Sequence, residues 1–392
     1  MLSRAALDRG TEGDEEVLIM LGFYSGNDML ARGALHAGCR FFAGYPITPA
    51  TSILVSMVNE MPTYGGLAIE AEDEIAAIGF CIGAAMAGEK AMTATSGPGI
   101  SLYSENIGLA IAAEIPLVIV DVQRHGPATG SATQTAQGDI QFIRWVTSGG
   151  MPAVALCPTT AAECFTLAVE AFNFAERLRA PVFILSDKEL ALTKERVDLE
   201  ALVIPEVEER RAAPLDQEET YLFDDADEVP AMTHFDGERL TRYTTSTHDE
   251  RANLTTDTAK IARFIEHLDR KVSARTDELE RVVWDPQEGA RDLIVSYGST
   301  ARSAREVVHT VRSRGDKLAH LVVHSVWPLP ERALRRALDG VDRVIVPEMN
   351  LGLYRQEIER VAAGGAEVVG IHRMDTKLIT PEQILQEAGL TS

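Results

Sequence analysis

Four carboxylates fall within five residues, Glu70, Glu72, Asp73 and Glu74, directly ahead of a stretch of Ala, Gly, Ile and Met with hardly a polar atom. Ile75, Ile78, Ile82 and Ala85 recur there at helical spacing. With small residues between them, they predict a helix that is apolar on every side and therefore buried. Glu74, at the entrance of that helix, is then aimed at the interior, where a carboxylate needs a partner. For Glu70, Glu72 and Asp73 the simpler reading is a solvated acidic turn favoured by the helix dipole, and for Glu74 it remains the alternative.

In open parallel sheets, ligands bind beyond the carboxyl ends of the strands. Three segments deliver polar residues there: Tyr45-Pro46-Ile47-Thr48, Thr95-Ser96-Gly97-Pro98-Gly99 and Gln123-Arg124. Arg124 ends an apolar strand and is followed by HGPATGSATQT. Its planar fork suits a carboxylate, while an ion pair with Asp139 or another acid of the crevice is the equal alternative. Thr48, between two prolines, also reads as an ordinary turn hydroxyl. The Gly-rich turn has neither the GxGxxG spacing nor a Walker lysine, so nucleotide binding is unsupported. Ser96 followed by Pro98 also makes a good helix start.

Around these residues helices alternate with near-continuous apolar strands, the pattern of parallel sheets covered on both faces. Residues 1–17 read as a charged, disordered lead-in and residues 18–194 as a first α/β unit. It includes the helix closed by Gly38, the strand RFFAGYPIT, the acidic strand and buried helix, and the strands KAMTATS, IPLVIVDVQR, AVALCP and APVFILSD. Residues 195–284 are acidic and proline-punctuated, a long linker over the surface that ends in the helix TTDTAKIARFIEHLDRKVSARTDELE. Composition leaves residues 206–230 open to disorder. A second α/β unit of parallel type occupies residues 285–392.

The chain of 392 residues is long enough for two such domains. A formal net charge of −22 argues against nucleic acid, which needs a basic face. No run approaches the length of a membrane span, and the N-terminus lacks the apolar core of a signal peptide, so a cytoplasmic protein is expected. Cys39, Cys81, Cys157 and Cys164 form no CxxC pair and have no histidine at ligand spacing. A zinc or iron–sulfur site built by this chain alone is therefore not expected. Cys81 and Cys157 read as core thiols.

Taken together, YPITPAT, EAEDEIAAIG, TATSGPGISL, EIPLVIVDVQRHGPATGSAT with the following QGDI, PVFILSDKEL, HDERANLTTD, SYGST and VWPLP resemble the alpha subunit of the 2-oxoacid:ferredoxin oxidoreductases. The 2-oxoglutarate type is the most similar, and the resemblance covers nearly everything after residue 25. It implies a thiamine diphosphate pyrimidine-binding domain and a transketolase-C-terminal-like domain, with the cofactor shared with a beta subunit. Mg2+ and a [4Fe–4S] cluster are expected on that beta subunit. This chain contains no GDG followed by the Asn of a magnesium-diphosphate site, and no metal site of its own is expected.

By the same resemblance, Glu74 is the catalytic carboxyl that hydrogen-bonds the cofactor's pyrimidine nitrogen and Pro46 contacts the cofactor. Thr48 and Arg124 hold the carboxylate of the 2-oxoacid. Thr48, Ser96 and Gly97 complete the candidate cofactor-binding set. The reaction implied is oxidative decarboxylation, with coenzyme A taking the acyl group and ferredoxin the electrons. The assembly implied is a dimer of heterodimers, with any gamma subunit a separate chain.

Two departures stand out. RWVTSGGMPAV replaces the family's Gly-x-His-Gly stretch, and Asn350-Leu351-Gly352-Leu353 lacks the Gln of Asn-x-x-Gly-Gln. The first opens the alternative of branched-chain or aryl oxoacids, and the second leaves open what Asn350 contacts. A non-catalytic scaffold subunit is the alternative of a different class, against which the joint presence of Glu74, Thr48 and Arg124 weighs.

Overall fold

Every residue of the strands Lys90–Thr95, Leu117–Gln123 and Pro181–Asp187 is buried, as a parallel sheet with both faces covered requires. The computed structural model describes residues 21–223, 226–235 and 240–391, so the lead-in expected over residues 1–17 lies outside it. The first unit runs β1 (Leu21–Ser25), α1 (Gly26–His36), β2 (Cys39–Gly44), α2 (Thr51–Glu60), β3 (Leu67–Glu70), α3 (Glu74–Met86), β4 (Lys90–Thr95), α4 (Gly97–Ala112) and β5 (Leu117–Gln123). It continues through α5 (Ile140–Arg144), β6 (Val154–Leu156), α6 (Ala161–Leu178), β7 (Pro181–Asp187), α7 (Lys188–Leu192) and β8 (Lys194–Asp198). After a long irregular stretch come α8 (Thr258–Ser273), α9 (Thr276–Leu279), β9 (Val282–Asp285), β10 (Asp292–Ser296), α10 (Thr300–Ser313), β11 (Ala319–Val323) and β12 (Ser325–Trp327). The chain ends through α11 (Glu331–Ala337), β13 (Arg343–Glu348), α12 (Arg355–Ala362), β14 (Glu367–His372) and α13 (Pro381–Glu387).

A seven-stranded sheet has the order β12-β6-β7-β5-β4-β2-β3 and is parallel except for β12. A five-stranded sheet, β14-β13-β10-β11-β9, is parallel except for β9. The fold is thus α/β with two parallel-rich sheets, as the alternation predicts. The apolar run KLAHLVVHSV does not form one strand: β11 stays in the second sheet, and Ser325–Trp327 crosses to pair with β6 at the edge of the first. Trp327 Nε1 donates to the Ile140 carbonyl at 2.8 Å and fastens that crossing. One face of the first sheet carries Met29, Ile53 and Phe172 of α1, α2 and α6. The core on the other face runs from Ile78 and Ile107 of α3 and α4 through Phe183 to Leu293, Tyr297 and Tyr354 of the second unit.

Two expectations need correction. The helix expected to be buried all round, α3, is buried on one face only. Ile78, Cys81, Ile82 and Ala85 are buried, whereas Ile75 is 51% and Phe80 44% exposed. Its composition calls for a cover that the described residues do not supply. The linker is also less superficial than composition suggests. β8 pairs antiparallel with β1, and Arg210 forms a fork-to-fork ion pair with the buried Glu176. Tyr221 and Phe223 join Phe264 and Leu268 of α8 in a small core. Residues 206–223 are thereby tied down. No helix among the described residues is long and apolar enough to cross a membrane.

Candidate active site

Within the acidic cluster the structure separates one carboxylate from the rest. Asp73 caps α3, its side chain accepting from the Ala76 amide at 2.7 Å, and Glu70 and Glu72 are exposed. Glu74 is 9% exposed, and none of the hydrogen bonds or ion pairs among the described residues engages its carboxylate. Parallel pairing of β2 with β3, extended by the Ala71 amide donating to the Gly44 carbonyl, brings the Tyr45–Thr48 loop alongside the approach to Glu74.

Glu74 meets the first turn of α4 where glycine is required by space. A Cβ on Gly99 would stand 1.9 Å from Thr95 Oγ1 and 3.0 Å from Glu74 Cγ. On the other side of the same turn, a Cβ on Gly97 would stand 2.8 Å from Asp139 Oδ2. Thr95 and Ser96 are fully buried, and neither hydroxyl has a partner. A buried carboxylate and two buried hydroxyls, all without protein partners, fit the polar edge of an aminopyrimidine, because such groups are costly unless a ligand or water satisfies them.

Arg124, at the end of β5, is 7% exposed. Its Nη1 donates to the Thr48 carbonyl at 2.6 Å and its Nη2 to the Thr129 carbonyl at 3.0 Å, while Nε has no partner. The ion pair with Asp139 offered as an alternative by the sequence is not among the structure's ion pairs. Thr48 and Arg124 are therefore directly joined, and Pro46 lies on the same exposed loop. A cavity of about 470 Å³ opens between the units beside them, lined by Gly97, Arg124, Asp139, Phe142, Leu351 and Met374 among others. A larger groove of about 1130 Å³, between α8 and the second unit, carries none of the candidate residues.

Two residues support the site, of which sequence reasoning missed Asn27 and named Gln123 only as a polar strand end. Asn27 is fully buried and donates from Nδ2 to the Pro49 carbonyl at 2.9 Å and to Ser52 Oγ at 2.8 Å, pinning the far end of the Thr48 loop. Its signal was an amide at the entrance of an otherwise apolar helix face. Gln123 accepts from the Asp139 amide at 3.1 Å and donates to the Ser186 carbonyl at 3.2 Å. The two departures from the family pattern are also placed. Thr147, in RWVTSGGMPAV, packs against Gly108 midway along α4, away from the strand ends. Asn350 donates to the Gln137 carbonyl at 2.8 Å and to the Tyr297 hydroxyl at 2.9 Å, so it joins the two units. All four cysteines are free and buried, and burial pushes the Cys39 thiol up to about 12.

Residues 32–266 match the family described as "Pyruvate flavodoxin/ferredoxin oxidoreductase, thiamine diP-bdg", and residues 290–384 match "Pyruvate:ferredoxin oxidoreductase core domain II". The chain is 40% identical over 366 residues to the 2-oxoglutarate synthase subunit KorA of Methanothermobacter thermautotrophicus, covering 93% of this chain and 96% of the relative. It is 33% identical to the ketoisovalerate oxidoreductase subunit VorB of the same organism, with 92% and 95% covered. A solved structure, the 2-oxoglutarate:ferredoxin oxidoreductase of Magnetococcus marinus with 2-oxoglutarate, coenzyme A and succinyl-CoA bound, superposes with a TM-score of 0.84 at 28% identity. That match covers 95% of this chain, which spans 65% of the other.

Proposed function

This chain belongs to the pyruvate flavodoxin/ferredoxin oxidoreductase family, and from that premise we propose that it is the alpha subunit of a thiamine diphosphate enzyme that oxidatively decarboxylates a 2-oxoacid. The acyl product leaves on coenzyme A and the electrons pass to ferredoxin, or the reaction runs in reverse; 2-oxoglutarate is the first substrate to test. The observation that carries this reading is Glu74, the buried member of its acidic cluster, unpartnered beside Gly99, Thr95 and Ser96.

In this reading residues 18–194 form the pyrimidine-binding unit and residues 285–392 the transketolase-C-terminal-like unit. Thiamine diphosphate, when bound, supplies the electron sink for decarboxylation. Glu74 would hold a proton at the pyrimidine nitrogen. Pro46, Ser96 and Gly97 border the ring. Arg124 and Thr48 orient the substrate's carboxylate, with Arg124 among the residues that line the crevice. Water is kept from the reacting centre by the cover that the exposed face of α3 lacks. We assign that cover to a beta subunit, which also carries the diphosphate anchor, Mg2+ and the [4Fe–4S] cluster. A gamma subunit would be a further separate chain, and the pairing gives a dimer of heterodimers.

One observation favours the alternative of branched-chain oxoacids. Arg124 is the cation among the residues lining the inter-unit cavity, whereas Leu351, Leu353 and Met374 offer an aliphatic wall. A second carboxylate on the substrate would need a cation from the beta subunit. Reconstituted with its beta subunit, the enzyme is expected to reduce ferredoxin in a coenzyme A-dependent manner, with a higher kcat/KM for 2-oxoglutarate than for 2-oxoisovalerate. The reverse order would select the branched-chain reading. Tight, magnesium-dependent binding of thiamine diphosphate by this chain alone would overturn the two-chain site.

A further inference from the structure

Asp121 is an acid in the middle of an apolar strand. It is fully buried in β5, between Thr95 of β4 and Leu185 of β7 in the strand register, neither of which offers a charge. Neither of its carboxyl oxygens receives a donor. Its contact is a second carboxyl, that of Asp139, whose Oδ2 is also withdrawn from solvent without a partner. The Asp139 backbone is held by its amide donating to Gln123 Oε1, and its carboxyl lies against Gly97, where a Cβ would stand 2.8 Å from Oδ2.

Other titratable groups border the pair. Glu74 lies across Gly99 on α3, and Tyr103 on α4 is bonded to Thr93 at 2.8 Å. His125 follows Arg124, and Asp187 at the end of β7 caps α7 through the Leu190 amide. Of the charged groups, Arg124 is the one that pulls on the pair. Asp121 is fully buried and Asp139 half-buried, and three of their four carboxyl oxygens are withdrawn from solvent without a donor, so ionising both at once is strongly disfavoured.

We propose that Asp121 and Asp139 share a proton, and that Asp121 is thereby a positioning residue that keeps Asp139, which lines the same cavity as Arg124, from repelling the 2-oxoacid anion. This rests on the reading of Arg124 as the carboxylate contact. With the proton in place, Arg124 faces a singly charged pair and the substrate meets a neutral wall. Without it the pair outweighs Arg124, and an incoming carboxylate is opposed. Burial, more than the neighbouring charge, pushes Asp121 far above the usual carboxylate range. Burial likewise raises Asp139 to about 6, against the opposing pull of the Asp121 hydrogen bond and of Arg124. Both shifts run toward the protonated pair, and the shared proton is lost as pH rises.

The test uses the assembled alpha–beta enzyme and its oxoacid KM from neutral to alkaline pH. In the wild type KM is expected to rise on the order of tenfold as the proton leaves, the effect of one added charge near the site. In Asp121→Asn the amide still donates to Asp139 and cannot ionise, so the rise should vanish while kcat keeps its wild-type pH profile. A pH-dependent infrared difference spectrum gives a readout independent of turnover: a protonated carboxyl band in the wild type, absent in Asp121→Asn. Persistence of the KM rise in Asp121→Asn, or the same infrared band in both proteins, overturns the proposal. If Arg124→Ala leaves oxoacid KM unchanged, the reading of Arg124 falls instead, which separates the two failures.

Discussion

Arg124 Nη1 donates to the main-chain carbonyl of Thr48 at 2.6 Å, so the two residues assigned to one substrate carboxylate are bonded to each other before any substrate arrives. The guanidinium also holds the Thr129 carbonyl, and it therefore sets the spacing of the two loops that flank the crevice. Arg124→Ala should lower kcat/KM for the oxoacid while leaving thiamine diphosphate occupancy intact. Loss of a desolvated, charge-assisted pair costs about 2–5 kcal/mol, which corresponds to roughly 30-fold to several thousand-fold in kcat/KM. Arg124→Lys should recover little of this, because one ammonium cannot span both carbonyls in a planar fork. An unchanged kcat/KM at saturating cofactor would make Arg124 a loop tie and nothing more.

Glu74 and Gly99 should fail together. In the assembled enzyme, Glu74→Gln keeps shape at the entrance of α3 but cannot exchange a proton with a ring nitrogen. C2–H/D exchange of bound thiamine diphosphate, followed by NMR after acid quench, should drop sharply, whereas Glu70→Gln and Glu72→Gln should exchange normally. Normal exchange in Glu74→Gln with slow exchange in either of the others would move the role to that carboxylate.

Gly99→Ala tests the same site from the opposite wall. The added methyl would stand 1.9 Å from Thr95 Oγ1 and 3.0 Å from Glu74 Cγ, so one of them must shift. Such overpacking costs about 1–3 kcal/mol of stability. The same C2–H/D exchange should slow in proportion to the displacement of Glu74, and Thr95→Ala added to Gly99→Ala should restore part of it. Wild-type exchange in Gly99→Ala would show that Glu74 is not held by this contact.

The apolar face of α3 carries its own prediction. Ile75 and Phe80 are exposed, as is Leu102 of the adjoining α4. Phe80→Asp should leave this chain folded, since the position is half in water already, yet weaken association with the beta subunit. Aromatic residues at the centre of an interface contribute about 2 kcal/mol or more, so a loss on the order of 30-fold in affinity is expected. Co-purification and light scattering at several concentrations read this out. Wild-type affinity would place the interface elsewhere.

That face also marks where the sequence was legible and where it was not. The strands, the helix entrance at Glu74 and the polar strand ends were readable because apolar periodicity and Gly/Pro punctuation are local signals. The burial of α3 was overread, since an apolar helix reports that a cover is needed without saying which chain supplies it. The crossing of Ser325–Trp327 into the first sheet went unseen for a related reason. Within one apolar run, nothing local marks the change of partner at His324. Asp121 and Asn27 were passed over because a lone polar residue in an apolar element acquires meaning only from what stands opposite it.

The last prediction concerns α8, whose charged sequence read as a surface helix. His267 Nε2 lies 2.9 Å and Lys271 Nζ 3.1 Å from Glu114 Oε2, all three side chains buried, and Lys271 also donates to the Arg179 carbonyl at 3.0 Å. Burial alone would raise the Glu114 carboxyl, but Lys271, then His267 and Arg179, overrule it and hold it well below the ordinary range. A carboxyl with a depressed native pKa contributes stability that is complete above its unfolded value, about 4.3, and that is lost as pH falls toward the native one. Glu114→Gln leaves the Lys271 charge buried without its counterion, which should cost roughly 3–5 kcal/mol at neutral pH. The variant's stability should also fall less steeply than the wild type's on the acid side. Adding Lys271→Met removes the stranded charge and should recover much of the loss. Denaturant titrations of the three proteins at neutral and acid pH measure both effects. Equal stability of Glu114→Gln and wild type at neutral pH would mean that α8 is held by Phe264, Leu268 and Val272 alone.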